Sequence, residues 1–163
     1  MYKYYFKAID KSEMSFLEDM LYHAIYIRDN ETLPRSIIYE PNLYKYIKNW
    51  DEKHDIGYII IEQDTNRKLG AAWIRAFNEE NKGYGYIDDG MPELSIALYP
   101  EYRGKGAGTA LLQYLIDHLP VSTKSISLSV NVQNPAKRLY ERVGFKTYLI
   151  KEDTAIMLFN RTL

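Results

Sequence analysis

The run Tyr99-Pro-Glu-Tyr-Arg-Gly-Lys-Gly-Ala-Gly-Thr109 sets two cations among three glycines, a combination suited to holding an anion. It follows the alternating apolar segment Glu93 to Leu98 and leads into Thr109 to Leu119, whose apolar residues recur at helical spacing. A strand, a glycine-rich turn and a helix start therefore adjoin. Such a junction offers unpaired backbone N–H groups and the positive end of a helix dipole to a ligand. Gly104, Gly106 and Gly108 keep Cβ atoms out of the ligand's path, while Arg103 and Lys105 add positive charge. The chemistry expected of Arg103, Gly104, Lys105, Gly106, Ala107 and Gly108 is phosphate binding.

Two familiar phosphate signatures do not fit. No glycine is followed by Lys-Ser or Lys-Thr, as a P-loop requires. The dinucleotide fingerprint Gly-x-Gly-x-x-Gly ends on Thr109 if counted from Gly104 and on Leu111 if counted from Gly106. The pattern Arg/Gln-x-x-Gly-x-Gly/Ala is met by Arg103, Gly106 and Gly108. Taken by itself, the run also reads as a tight strand-to-helix turn with no ligand.

A second run, Asn134-Pro-Ala-Lys-Arg-Leu-Tyr-Glu-Arg-Val-Gly-Phe145, lies one helix and one strand further on. Local physics accounts for much of it: Asn134 caps a helix, Pro135 takes its first position, and Gly144 ends it. Ala136 and Leu139 would face a sheet and Phe145 would pack. Tyr140 is either a core tyrosine with a satisfied hydroxyl or a phenol turned toward chemistry.

The remaining elements must position these runs. Tyr4 to Ile9 reads as a strand, Met14 to Ile27 as an amphipathic helix, and Asn42 to Trp50 as a short second helix after the polar loop Arg28 to Pro41. Ile56 to Gln63 and Leu69 to Phe77 form a hairpin, and Asn78 to Met91 is a polar, glycine-containing loop. Ser125 to Val130 alternates as a half-buried strand, and Phe145 to Ile150 pairs with Thr154 to Phe159. The order β-α-α-β-β-β-α-β-α-β-β predicts an α/β domain of the α+β type. It is expected as one domain over residues 1–163, with a mixed, mostly antiparallel central sheet flanked by helices.

Together the two runs, in this order, resemble the paired signatures of the GNAT superfamily of acetyl-CoA-dependent N-acetyltransferases. The element order matches that fold over nearly the whole chain. The resemblance implies that acetyl-CoA sets its pyrophosphate on residues 103–108 and its pantetheine along Ile96, Ala97 and Leu98, with Asn134 in contact. It implies that the backbone N–H of Leu98 or a neighbour polarises the thioester carbonyl, which requires the strand to splay near Ile96 to Leu98. It places the Tyr140 hydroxyl near the sulfur, where a phenol can protonate the leaving thiolate or stabilise its charge. Glu93 occupies the place of a general base in some members, acting directly or through water; a solvated or ion-paired strand-end glutamate is the other reading.

The acceptor is then a primary amine of a small molecule or a peptide, attacking directly in a ternary complex because the chain has no cysteine to carry the acetyl group. The segments Tyr22 to Trp50 and Asn78 to Met91 would shape its site through Tyr22, Tyr26, Arg35, Tyr39, Tyr44, Asp88 and Asp89. A catalytically silent acyl-CoA-binding sensor stays open as the alternative.

Composition agrees with this class of function. The 163 residues are 46% hydrophobic and 26% charged, with a net charge of −1, which gives no electrostatic basis for nucleic-acid or anionic-membrane binding. His23, His54 and His118 are scattered without ligand spacing, so no metal is expected. The N-terminal run lacks the apolar core of a secretory signal, and no apolar stretch approaches membrane-spanning length. A cytoplasmic location is expected, and a homodimer is compatible with the chain. Trp50, Trp73 and most of the 16 tyrosines read as packing residues.

Overall fold

A computed structural model describes residues 3–27 and 31–161. The chain runs through β1 (Tyr4–Ala8), α1 (Met14–Ala24), α2 (Pro41–Tyr44), β2 (Ile56–Glu62), β3 (Lys68–Ala76) and β4 (Pro92–Leu98). It continues through α3 (Ala107–Asp117), β5 (Ser125–Asn131), α4 (Ala136–Val143), β6 (Lys146–Lys151) and β7 (Thr154–Asn160). This is the predicted order of elements. The seven strands form one sheet ordered β1-β2-β3-β4-β5-β7-β6, in which β4 and β5 are parallel and the other neighbours antiparallel.

Each face of the sheet carries its own core. Leu17, Met20 and Leu21 of α1 bury with Ile59, Ala71 and Trp73 on one face. Leu111, Leu112 and Leu115 of α3 bury with Ile60, Ala72 and Leu94 on the other. Trp50 and Trp73 are anchors as expected: both are buried, and their indole N–H groups donate to the carbonyls of Ile9 and Tyr46.

Two helices are shorter than the sequence suggests. α1 stops at Ala24 because Ile25 turns to an extended conformation (φ −74°, ψ 125°). The regular part of α2 stops at Tyr44, and the Tyr46 and Ile47 amides bond only three residues back. That tighter winding brings Tyr46, Ile47 and Trp50 all into the core. Of the predicted Arg28 to Pro41 loop, residues 28–30 lie outside the described residues, and residues 35–39 form a 3₁₀ turn.

The parallel pair is short. Its only register is Glu93 with Ser127, whereas β4 keeps β3 as a partner from Pro92 to Leu98. β4 and β5 therefore diverge beyond Glu93, on the side where the glycine turn lies.

At the far edge, the buried Glu13 bonds the ammonium groups of Lys7 at 2.8 Å and Lys68 at 2.6 Å. Burial by itself pushes its carboxyl up, but the Lys68 and Lys7 hydrogen bonds and charges outweigh that and hold it below the usual carboxylate range. Such a group contributes stability above the unfolded carboxyl value, near pH ~4.3, and loses it as the pH falls. Glu13→Gln is expected to cost about 1–2 kcal/mol at neutral pH. The difference from the parent should close in acid, as denaturant titrations at the two pH values would read.

Candidate active site

Hydrogen-bond partners run out where β4 ends. The Tyr99 N–H still donates to Leu69 O at 2.9 Å, and the Arg103 N–H to Pro100 O at 3.2 Å. Among the described residues, no acceptor takes the N–H groups of Gly104, Lys105, Gly106, Ala107, Gly108 or Thr109. Gly104 and Gly106 hold left-handed φ values of 76° and 88°, and a Cβ on either would meet nothing within 4 Å. Unpaired donors thus stand at the start of an 11-residue helix, where Gly104, Gly106, Gly108 and Thr109 line an open groove.

Gly108 does something else: a Cβ there would meet Leu139 Cδ1 at 3.1 Å, so its lack of side chain lets α3 close on α4. The Arg103 guanidinium reaches back to His23 O at 3.2 Å, and Lys105 is exposed. A groove of about 810 Å³ leads from Arg103, Gly104, Gly106 and Gly108 along Ile96, Ala97 and Leu98 to Tyr140.

The β4 backbone in that groove is open. Leu69 and Tyr99 form a hydrogen-bonded antiparallel pair, so the ladder's alternation turns the polar groups of Leu94, Ile96 and Leu98 toward β5. β5 has separated from β4 at Ile96 and Leu98, past the single register of Glu93 with Ser127. The splay expected near Ile96 to Leu98 is present, beginning just after Glu93.

A second cavity, about 460 Å³, lies on the other side of the opening. Ile96, Asn134 and Tyr140 border both spaces and so mark where they meet. Asn134 does cap α4, its Oδ1 accepting the Ala136 N–H at 2.9 Å. Tyr140 is only 8% exposed and packs edge-on to Phe145. Burial pushes its hydroxyl up to about 12.

Among the described residues nothing hydrogen-bonds the Tyr140 hydroxyl, and no fully enclosed side-chain polar atom lacks a partner. The hydroxyl therefore borders the open space between groove and cavity. Among the described residues Tyr140 is a core tyrosine by burial whose hydroxyl finds no partner.

Glu93 lines the smaller cavity and is 3% exposed. Its Oε1 accepts the Gly85 N–H at 3.0 Å and its Oε2 accepts the Tyr46 hydroxyl. Tyr46 in turn accepts the Tyr84 N–H at 2.7 Å. Burial raises the Glu93 carboxyl above the ordinary value, against the lowering effect of the Tyr46 and Gly85 hydrogen bonds. With no ion pair among the described residues, Glu93 is a buried carboxylate strapped to a loop.

That loop needs its glycines. A Cβ on Gly83 would sit 2.2 Å from Glu93 Oε1, and one on Gly85 2.7 Å from the Leu128 backbone. The Ser127 hydroxyl donates to Gly85 O at 2.7 Å and fixes the loop to β5.

Sequence reasoning missed Tyr46, Gly83, Tyr84 and Gly85; the paired glycines flanking Tyr84 were the available signal. Of the acceptor residues expected from sequence, Tyr22 and Tyr26 border the groove, and Tyr26 also borders the smaller cavity. The others do not line either space. Arg35 pairs with Asp19, the Tyr44 hydroxyl donates to Glu18, Tyr39 stacks on Tyr44, and Asp89 accepts from Tyr86. Asp88 lies in the same exposed loop as Asp89. No group of three or more His, Asp or Glu residues able to hold a metal occurs among the described residues, and no described helix is long and apolar enough to cross a membrane.

Solved structures of the same fold cover almost the whole chain. Acetyl-CoA-bound yncA from Salmonella typhimurium is 19% identical with a TM-score of 0.66, covering 99% of this chain and 95% of its own. A GNAT-family protein from Bordetella pertussis is 22% identical with a TM-score of 0.63, covering 94% and 92%. The spermidine/spermine N-acetyltransferase SpeG from Vibrio cholerae is 20% identical with a TM-score of 0.60, covering 97% and 95%. No curated protein sequence matches the chain. The family model described as Acetyltransferase (GNAT) family matches residues 22–145, a span that takes in both signature runs and most of the sequence, and the chain therefore belongs to the GNAT acetyltransferase family.

Proposed function

We propose that this protein is an N-acetyltransferase that passes the acetyl group of acetyl-CoA directly to a primary amine. GNAT enzymes use acetyl-CoA as co-substrate, and it supplies an activated thioester. The observation that carries the reading is the Tyr140 hydroxyl. It is buried, without a partner among the described residues, and borders both the groove that starts at the anion turn and the cavity that holds Glu93.

The residues fit the donor. The turn's unpaired amides at Gly104, Gly106 and Gly108, with Arg103, would take the pyrophosphate, and Gly104 and Gly106 leave room for it. The open edge of β4 at Ile96 and Leu98 would hydrogen-bond the pantetheine amides and polarise the thioester carbonyl. Asn134 borders the same passage.

Glu93 would take a proton from the incoming ammonium, directly or through one water, freeing the nitrogen lone pair. The C–N bond then forms, the C–S bond breaks, and its electron pair leaves on sulfur. The products are an amide, a thiol and one proton released to water. Tyr140 would donate to the sulfur as charge develops there.

Thiol release from acetyl-CoA, followed with and without a panel of primary amines, tests the proposal. Amine-dependent release is the expected result. Tight acetyl-CoA binding with no release for any amine would instead leave a binding module.

Gly106→Ala tests the turn. A side chain at φ 88° costs roughly 1–2 kcal/mol of backbone strain. The variant should raise KM for acetyl-CoA at least several-fold and leave KM for the amine nearly unchanged. Equal effects on both would remove the turn from donor binding.

A further inference from the structure

We propose that the acceptor is a primary monoamine whose body is an uncharged alkyl or aryl group, not a polyamine or an amino acid. The inference rests on the acetyl-transfer reading above and concerns the cavity of about 460 Å³, a volume within the range of small-molecule sites.

Its walls carry one charge. Among the described residues lining it, Glu93 is the sole carboxylate, and there is no Lys, Arg or His. Leu21, Ala24, Ile37 and Leu43 supply aliphatic surface, with the rings of Tyr26 and Tyr84. One ammonium can therefore be neutralised, at Glu93, and the rest of the ligand meets uncharged side chains, the aliphatic and aromatic ones above together with Ser95, Ser129, Asn131, Asn134 and Thr154.

Charges just outside the cavity are already engaged. Asp19 accepts from Arg35 and from the Tyr99 hydroxyl, and Glu18 accepts from Tyr44. Lys45 does not line the cavity; it donates to Lys82 O and Asn81 Oδ1, and its charge acts on Glu93 from outside the wall. Among the described residues lining the cavity, a second ammonium on the ligand would find no second carboxylate, and a ligand carboxylate would find no cation and would be repelled by Glu93. Burying an unpaired charge costs far more than burying a methylene group.

Two matched pairs isolate these effects: hexylamine against hexamethylenediamine, and phenethylamine against phenylalanine. Within each pair the ligands differ by one charged group. With the full chain and saturating acetyl-CoA, kcat/KM should fall on the order of 100-fold from the monoamine to its partner in both pairs. Leu43→Asp, at a half-buried wall position, should narrow the hexylamine-to-diamine ratio by about tenfold through a new pair with the second ammonium.

Equal or better turnover of hexamethylenediamine, of phenylalanine, or of a leucine-initiated peptide amide would overturn the inference while leaving acetyl transfer standing. Thiol release with none of these compounds would instead bring down the acetyl-transfer reading itself.

Discussion

Tyr140→Phe should lower kcat by about 10²- to 10³-fold while KM for acetyl-CoA moves less than about threefold. The substitution is unusually clean. Among the described residues the hydroxyl has no hydrogen bond to lose, and the ring keeps its burial and its edge-on contact with Phe145. The melting temperature should stay where it is, so a fall in turnover reports on chemistry.

The raised pKa also says what kind of donor the phenol is. Burial pushes it up to about 12, so the phenol keeps its proton and presents it as a hydrogen-bond donor. In the proposed mechanism Tyr140 would donate a hydrogen bond to the departing sulfur and stabilise its charge. It stays protonated across the neutral range and should add no basic limb to kcat in that range. An unchanged kcat in the phenylalanine variant would take Tyr140 out of the mechanism.

What could be read in the sequence was local. The strand, turn and helix around Arg103 to Gly108 are set by neighbouring residues, as are the Asn134 cap and the Gly144 stop. The element order followed from periodicity and held throughout. The lining of the acceptor cavity came out differently, because it depends on contacts between residues distant in sequence. Tyr46 meets Glu93 across 47 positions, and Ser127 meets Gly85 across 42.

Arg35, Tyr44 and Asp89 looked like acceptor residues by type. The fold spends them on pairing with Asp19, Glu18 and Tyr86 instead. The aliphatic residues Ile37 and Leu43 were unremarkable in sequence and form the cavity wall. Even α2 was overestimated for this reason, since helical pattern alone does not show that Tyr46, Ile47 and Trp50 must all reach one core.

Glu93→Gln should cost about 10²-fold or more in kcat and remove the acid limb of its pH profile. The sign follows from burial. Desolvation raises the carboxyl above its ordinary value, so the base form required for turnover is lost at a higher pH than for an exposed glutamate. In the parent enzyme kcat should therefore fall as the pH drops toward that raised value, with the amine saturating throughout. Glutamine keeps the shape and an acceptor for the Gly85 N–H but cannot take a proton, so the limb should vanish along with the activity.

Tyr46→Phe separates positioning from catalysis. Its hydroxyl donates to Glu93 and favours the charged form, so its loss should move the acid limb to higher pH and leave the plateau at high pH largely intact. A merely structural Tyr46 would lower the plateau without moving the limb. If Glu93→Gln keeps an unaltered profile, the proton leaves by way of water alone, and the strap from Tyr46 through Glu93 to Gly85 only shapes the cavity wall.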